Sequence, residues 1–266
     1  MNGNLTIKSS EKYMTLNTVP FYFDWTFWAA IVAFIAIILS QIPPISVLLR
    51  KAKLDFELYS KISLLHKVGN PNLQLHFLIT NSGGRKLKIN KIEITIERDG
   101  KTINSIPAQT FFQAPTDTAS ILFTKFTLVP DQEWNHSINF YNDFSREDEK
   151  KFNKFTKDIK TNLQDIRDNK EEEPNKLIEA EDVFVTPFLD MFKKHFIWLS
   201  GEYKLKVKVF TDTPKYDVTK SFKFTLFEYQ EEQLKELADE FKTGSGIYWY
   251  SNTPQSINLN IKEEYK

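Results

Sequence analysis

The chain has 266 residues, with 35 basic and 35 acidic side chains and no cysteine. Charge balance removes the electrostatic case for nucleic acid as a partner, and the part beyond residue 49 is still balanced, 33 against 33. Without cysteine there is no disulfide, thiol nucleophile or thiolate metal site, and 23 Phe in a chain that is 41% hydrophobic exclude wholesale disorder.

Residues 1–20 read as an N-terminal tail and 21–49 as a transmembrane anchor. No charged residue occurs from Trp25 to Leu49. The eighteen residues Trp25 to Ile42, rising about 1.5 Å each as a helix, span roughly 27 Å, close to a hydrocarbon core. Phe21, Tyr22, Phe23, Trp25 and Trp28 crowd one end, as amphipathic rings do at a headgroup layer. Pro43-Pro44 stops the helix. A secretory signal peptide is the competing assignment, but Ser40-Gln41-Ile42-Pro43-Pro44 offers a poor cleavage site. A buried globular helix is the other, and it is rarely apolar all round. Lys8 and Lys12 flank one end of the span; Arg50, Lys51, Lys53 and Lys61 flank the other. That bias places the C-terminal domain in the cytoplasm of a single-pass cell-membrane protein. Arg50, Lys51 and Lys53 are candidate contacts with anionic headgroups.

Beyond residue 50 the hydrophobic period becomes two. Leu54, Phe56 and Leu58 alternate with polar residues, as do Leu73, Leu75, Phe77 and Ile79, then Ile92, Ile94 and Ile96 before the hairpin signal Asp99-Gly100. Trp134, Ile138 and Phe140 share one face, with His136 between them. Tyr203, Leu205, Val207 and Val209 follow, then Phe222, Phe224 and Leu226. Such alternation predicts antiparallel strands with one wet face, and several of them separated by turns predict a sandwich. The fold class is therefore mainly β: an antiparallel sandwich in two parts, 50–142 and a last hairpin at 201–227.

Residues 143–200 form a helical insertion. Ser145 caps a helix with Glu147, Asp148 and Glu149 in its first turn, and Phe152, Phe155, Ile159, Leu163 and Ile166 lie on one face. The acidic run Glu171–Glu173 with Pro174 is a loop, and Thr186-Pro187 supplies the cap and first position of a second helix. Residues 228–266 hold a C-terminal helix, Glu231–Phe241, and a last strand through Ile257, Leu259 and Ile261.

The runs Asn72–Gly84, Ile92–Gly100 and Gly201–Leu226 resemble bacterial immunoglobulin-like domains, in which a strand ending Asn-Ser-Gly opens the sheet and a Gly-Glu-Tyr-x-Leu-x-Val strand leads into the last hairpin. The likeness covers about 54–142 and 201–227. It implies an immunoglobulin-like sandwich and carries no functional residue, since fold alone does not imply function.

Chemistry is nearly silent. His66, His76, His136 and His195 have no helical-spacing partner, and there is neither a phosphate loop nor a nucleophile elbow. No catalytic residue, metal ligand or cofactor is expected. Three surfaces remain. Lys204, Lys206 and Lys208, with Lys220 and Lys223 on the next strand, either form an anionic-ligand site or a solvated face that discourages edge pairing. Phe188, Phe192 and Phe196 form a stripe that either plugs one end of the sandwich or meets a partner or the headgroup layer. Ile247-Tyr248-Trp249-Tyr250, after Gly244-Ser-Gly246, either packs on the sheet or offers a mobile contact through Tyr248 and Trp249.

Two functions follow. One is a non-enzymatic, single-pass membrane-anchored module that recognises another protein, a second copy of itself or a small anionic ligand. The other is a membrane effector of a bacterial antiphage or stress system, whose cytoplasmic sandwich senses an anionic signal while its clustered anchors disturb the bilayer. A surface or periplasmic adhesion module replaces both if the orientation is reversed.

Overall fold

Alternation with period two sends successive side chains to opposite faces of a strand, and burial follows it: Leu73, Leu75, Phe77 and Ile79 are buried while Gln74, His76 and Leu78 between them are half-exposed. The computed structural model describes residues 20, 23–41, 50–114, 116–169, 177–249 and 256–264. The tail with Lys8 and Lys12, Phe21, Tyr22, Ile42, the Pro43-Pro44 stop, the Glu171–Glu173 loop with Pro174, and Tyr250 lie outside the described residues. The chain divides into two compact units, residues 1–48 and 49–266.

The larger unit is built on eleven strands: β1 (Leu54–Lys67), β2 (Asn70–Asn81), β3 (Leu87–Arg98), β4 (Lys101–Phe112), β5 (Ile121–Leu122), β6 (Phe126–Leu128), β7 (Glu133–Tyr141), β8 (Gly201–Thr211), β9 (Val218–Leu226), β10 (Ile257–Asn260) and β11 (Lys262–Glu263). All named pairings are antiparallel and follow one path, β10-β1-β2-β7-β4-β3-β8-β9-β11, with β5 on β4 and β6 on β3. Two corners turn this path back on itself. In β4, Lys101–Pro107 pairs with β3, whereas Ala108–Phe112 pairs with β7 after a register shift at Ala108/Thr110. Pro107 sits at the changeover, where a strand residue without an N–H is tolerated. At the other corner, β10 pairs with β1 and β11 with β9, and Ile261 between them donates its N–H to Ser60 O at 2.8 Å.

The result is a mainly β, antiparallel sheet that is nearly barrel-shaped rather than clearly an immunoglobulin-like sandwich. Bulged corner strands join the two layers in place of two separate sheets facing each other. Leu205, Val207 and Val209 from β8 and Ile92, Ile94 and Ile96 from β3 meet Leu73, Leu75, Phe77 and Phe140 in one continuous core.

One end of the barrel gathers the start of β1, the end of β2, the start of β3, β5, β6 and the start of β7. The opposite end carries the helices α2 (Arg146–Asn169), α3 (Asp182–His195) and α4 (Glu228–Glu236), followed by a 3-10 turn, Asp239–Thr243. Ser145 Oγ accepts from Asp148 N–H at 3.1 Å and caps α2. α3 starts at Asp182, five residues earlier than Thr186-Pro187 suggested, and Pro187 lies inside it. Asn162 of α2 overrides the proline: its Oδ1 accepts the Glu181 N–H at 3.0 Å and its Nδ2 donates to Glu181 Oε1 at 3.2 Å, fixing where α3 begins. Phe152, Ile159, Leu163, Phe188, Phe192 and Phe241 form a second, separate core under these helices. The expected Glu231–Phe241 helix is instead α4 plus the 3-10 turn, broken after Glu236.

In the smaller unit, Asp24 Oδ1 accepts the Thr26 N–H at 2.9 Å at the start of α1 (Trp25–Gln41). Its 17 residues measure about 25 Å. Val32, Phe34, Ile35, Ile37, Ile38 and Leu39 all lie exposed. No helix among the described residues is long and apolar enough to cross a membrane. The expected eighteen-residue span loses its last position here, because Ile42 falls outside the described residues.

Candidate functional site

β8 and β9 place four of the five candidate lysines on one outer face. Lys204 stands directly opposite Lys223, and Lys206 and Lys208 continue the row. Lys220 does not join them. It shares the parity of Phe222, Phe224 and Leu226, pairs with Val207, and reaches Asp55 at 3.0 Å and Glu263 at 3.6 Å. The aligned lysines are also not a bare positive field. Glu264 lies 2.5 Å from both Lys204 and Lys223, Glu97 lies 2.5 Å from Lys206, and Asp217 lies 3.4 Å from Lys208. Hydrogen bonds from Lys204 and Lys223 pull the Glu264 carboxyl down to about 2. The stripe is a mixed-charge ladder. Partners from β3, β9's leading turn and the C-terminal segment neutralise what looked in one dimension like a row of like charges.

The aromatic stripe is core. Phe188 and Phe192 are buried, and Phe188 meets Phe152, Phe155 and Phe241 at centroid distances of 6.0, 5.9 and 6.4 Å. Phe196 falls beyond the end of α3 and packs on Phe192 at 4.7 Å. Trp198 is fully buried, donating from Nε1 to Leu65 O at 3.1 Å. The partner-contact assignment of Phe188 and Phe192 is thus corrected: a helix apolar on several sides is covered on several sides. Residues 247–249 are a closed turn in which Gly246 N–H donates to Trp249 O at 2.8 Å and Trp249 Nε1 donates to Thr243 O at 3.0 Å. Ile247 is buried, Lys160 Nζ stands 4.7 Å over the Tyr248 ring, and Trp249 keeps 36% of its surface exposed.

Arg50, Lys51 and Lys53 are exposed at the barrel's loop end. Arg50 pairs with Asp131 at 2.9 Å. The backbone of this entry segment is clamped: Gly83 N–H donates to Lys53 O at 3.1 Å and Gly84 N–H to Lys51 O at 3.2 Å. A Cβ on Gly83 would fall 2.6 Å from Lys51 O and 2.8 Å from Ala52 Cα, so this position requires glycine. The Asn81-Ser-Gly-Gly84 signal therefore does more than turn the chain. Buried Asn81 donates from Nδ2 to Arg85 O at 2.8 Å and Leu128 O at 3.0 Å, holding the loop that grips β1.

Two features of the helical end carried no sequence signal. A groove of about 590 Å³ between α2 and α3 is lined by Phe155, Val183, Pro187 and Met191, with Asp148, Lys151, Asp190 and Lys194 around it. Val183 is 67% exposed there. Asp148, nearly buried, accepts from Lys194 Nζ at 2.6 Å and Ser145 Oγ at 2.9 Å, and these bonds hold its carboxyl below the usual range. The histidines are dispersed. His66 is buried against Phe192, His76 Nδ1 meets Ser137 Oγ at 2.9 Å across β2 and β7, His136 packs on Trp134, and His195 lies 3.5 Å from Asp148. Among the described residues no group of three or more His, Asp or Glu is placed to hold a metal ion.

No protein-family model matches the chain, and no curated protein does. Among solved structures it is similar to a protein from Archaeoglobus fulgidus, at 6% identity over 66% of this chain and 98% of that one, with a TM-score of 0.26. A likeness that faint carries no argument about fold or function.

Proposed function

We propose that this chain is a non-enzymatic, single-pass membrane-anchored interaction module, with α1 in the bilayer and the barrel displayed in the cytoplasm. The observation that carries it is α1 itself: seventeen residues without a charge, apolar around the whole circumference, with Val32, Phe34, Ile37 and Leu39 exposed. In water that surface is costly. In hydrocarbon it is favourable, and although the described helix alone is too short to cross, the uncharged stretch of the sequence runs on from Gln41 to Leu49. The groove between α2 and α3, at the end of the barrel remote from the entry segment, is the recognition surface best supported by shape. An anion-sensing effector draws no comparable support, because the lysines assigned to sensing already hold carboxylates.

The test is membrane fractionation of a variant with Ala33→Arg and Ala36→Arg. Each charge costs about 2.5–3.5 kcal/mol at a helix centre, so the variant is expected in the soluble fraction or degraded. Full membrane retention overturns the anchor. Expression of the intact chain separates the two functions, since an adaptor is harmless alone and an effector depolarises the cell.

A further inference from the structure

The loop end of the barrel combines two properties that neither the core nor the ion-pair ladder uses. The first is exposed aliphatic surface: Ile121 and Leu122 on β5 are 44% and 74% exposed, and Val129 after β6 is 52% exposed. They sit over a layer of rings, with Phe126 stacked on Trp134 at 4.6 Å and Phe123 edge-on to Phe126 at 6.0 Å. The second is an excess of positive charge. The bonds from Gly83 and Gly84 to residues 53 and 51 bring Lys51 and Lys53 alongside Arg85 and Lys86, all exposed, and Lys125 lies between β5 and β6. None of these five has a carboxylate partner among the described residues, unlike the lysines of β8 and β9. Of the acids at this end, Asp131 is held by Arg50, Asp55 by Lys220, and Asp117 accepts the Ala114 N–H at 2.8 Å, while Glu133 and Asp212 are exposed, so the five basic side chains outnumber the acids left to meet them.

We propose that this end of the barrel docks on an anionic lipid surface, with Ile121, Leu122 and Val129 entering the headgroup layer and Lys51, Lys53, Arg85, Lys86 and Lys125 pairing with lipid phosphates. Aliphatic tips ringed by unpaired lysine and arginine suit a negatively charged leaflet. The occupant also follows from chain order, because Arg50 at this end is preceded, through residues 42–49, by α1. The proposal rests on the anchored reading and deepens it by naming the surface that the loop end of the barrel meets.

The chain has no cysteine, so one introduced thiol reports one place. Full-length Leu122→Cys carries an environment-sensitive fluorophore and is reconstituted in vesicles of phosphatidylcholine with phosphatidylglycerol, or of phosphatidylcholine alone. A Tyr229→Cys variant at the helical end is the comparison. Sedimentation with vesicles reads the anchor, and quenching by spin-labelled lipid reads docking. The expected result is a blue shift and quenching at residue 122 in anionic vesicles, none at residue 229, and loss of both signals in high salt. Arg85→Glu with Lys86→Glu and Lys125→Glu is expected to lose quenching while still sedimenting. A chain that sediments with residue 122 unquenched overturns the docking and leaves the anchor standing. A chain that does not sediment overturns the anchor, and docking with it if residue 122 is also unquenched. Protection of residue 122 in cells by a protein, with none on vesicles, also overturns the lipid assignment.

Discussion

Gly69 meets Phe192 backbone to backbone, and this contact seats helix α3 on the β1–β2 turn. A Cβ at residue 69 would lie 2.9 Å from Phe192 Cα and closer still to its carbonyl oxygen, and Gly69 has φ +83°. Gly100, with φ +79°, has nothing within 4 Å of the same position. The pair therefore separates two costs. Gly100→Ala is expected to lose only the left-handed penalty, about 1–2 kcal/mol. Gly69→Ala loses that and displaces α3, so its denaturation midpoint should fall clearly further. Equal midpoints would mean that α3 is not held there.

Beside that contact lies His66, whose Nε2 donates to Leu234 O at 2.8 Å while Nδ1 accepts the Gly69 N–H at 3.2 Å. The Gly69 bond needs the neutral ring, since a protonated Nδ1 cannot accept, whereas the Leu234 bond is made by either form. Burial lowers its pKa from 6.5 to about 4, outweighing the opposite pull of the Leu234 carbonyl. The unfolded chain therefore takes up the proton first as pH falls. Stability is complete above pH 6.5 and declines between 6.5 and about 4, by roughly 3 kcal/mol. His195, lowered chiefly by burial, acts in the same direction. Denaturation at pH 7 and pH 5, with the His66 ring titration followed by NMR, checks this. A midpoint near 6.5 for His66 would refute the buried neutral ring.

The parts legible in the sequence were those in which one strand or helix decides its own pattern. The alternation of Leu73 to Ile79 gave β2, and Ser145 gave the cap of α2, because period and capping are local. β4 left no comparable trace: Pro107 interrupts it, and its two halves pair with different neighbours. Barrel closure was hidden for the same reason, since whether Ile261 bridges two strands depends on partners some 40 and 200 residues away. The lysine face misled because its charge is cancelled from elsewhere, although the parity of Lys220 with Phe222 was readable and separates it from the row. The α2–α3 groove has no signature at all. It is lined from two helices at once, and neither one alone marks it.

The seam at Ile261 gives a third expectation. Ile261 is buried between β10 and β11, and its neighbours pair with β1 on one side and β9 on the other. Ile261→Ala is expected to cost about 2–5 kcal/mol. It should also open two sheet edges, which raises the risk of edge-to-edge aggregation. Hydrogen exchange is the sharper readout, because the amides of Ile62, Leu64 and Lys223, on the edges that the C-terminal segment covers, should lose protection before those of β2 and β3. Uniform loss across the barrel would show that the C-terminal segment is not a separate latch.

Lys204 and Lys223 face each other across β8 and β9, an arrangement that is unfavourable for like charges unless something lies between them. Glu264 does, at 2.5 Å from each. Charge reversal of the row is therefore expected to act on stability, since Lys204→Glu, Lys206→Glu and Lys208→Glu set new carboxylates against Glu264, Glu97 and Asp217. Lys206→Glu alone should cost about 0.5–1 kcal/mol, the range of an exposed pair. The triple Gln variant removes attraction without adding repulsion and should melt between wild type and the triple Glu variant. Added salt should draw the triple Glu variant back toward the triple Gln one, because screening acts on exposed charges. Glu264→Gln should destabilise through the Lys204–Lys223 repulsion, and Glu264→Gln with Lys223→Gln should recover most of that loss. Inorganic phosphate should raise the wild-type melting temperature no more than chloride at equal ionic strength. A specific phosphate stabilisation that the triple Gln variant lacks would restore the anion-binding role to these lysines.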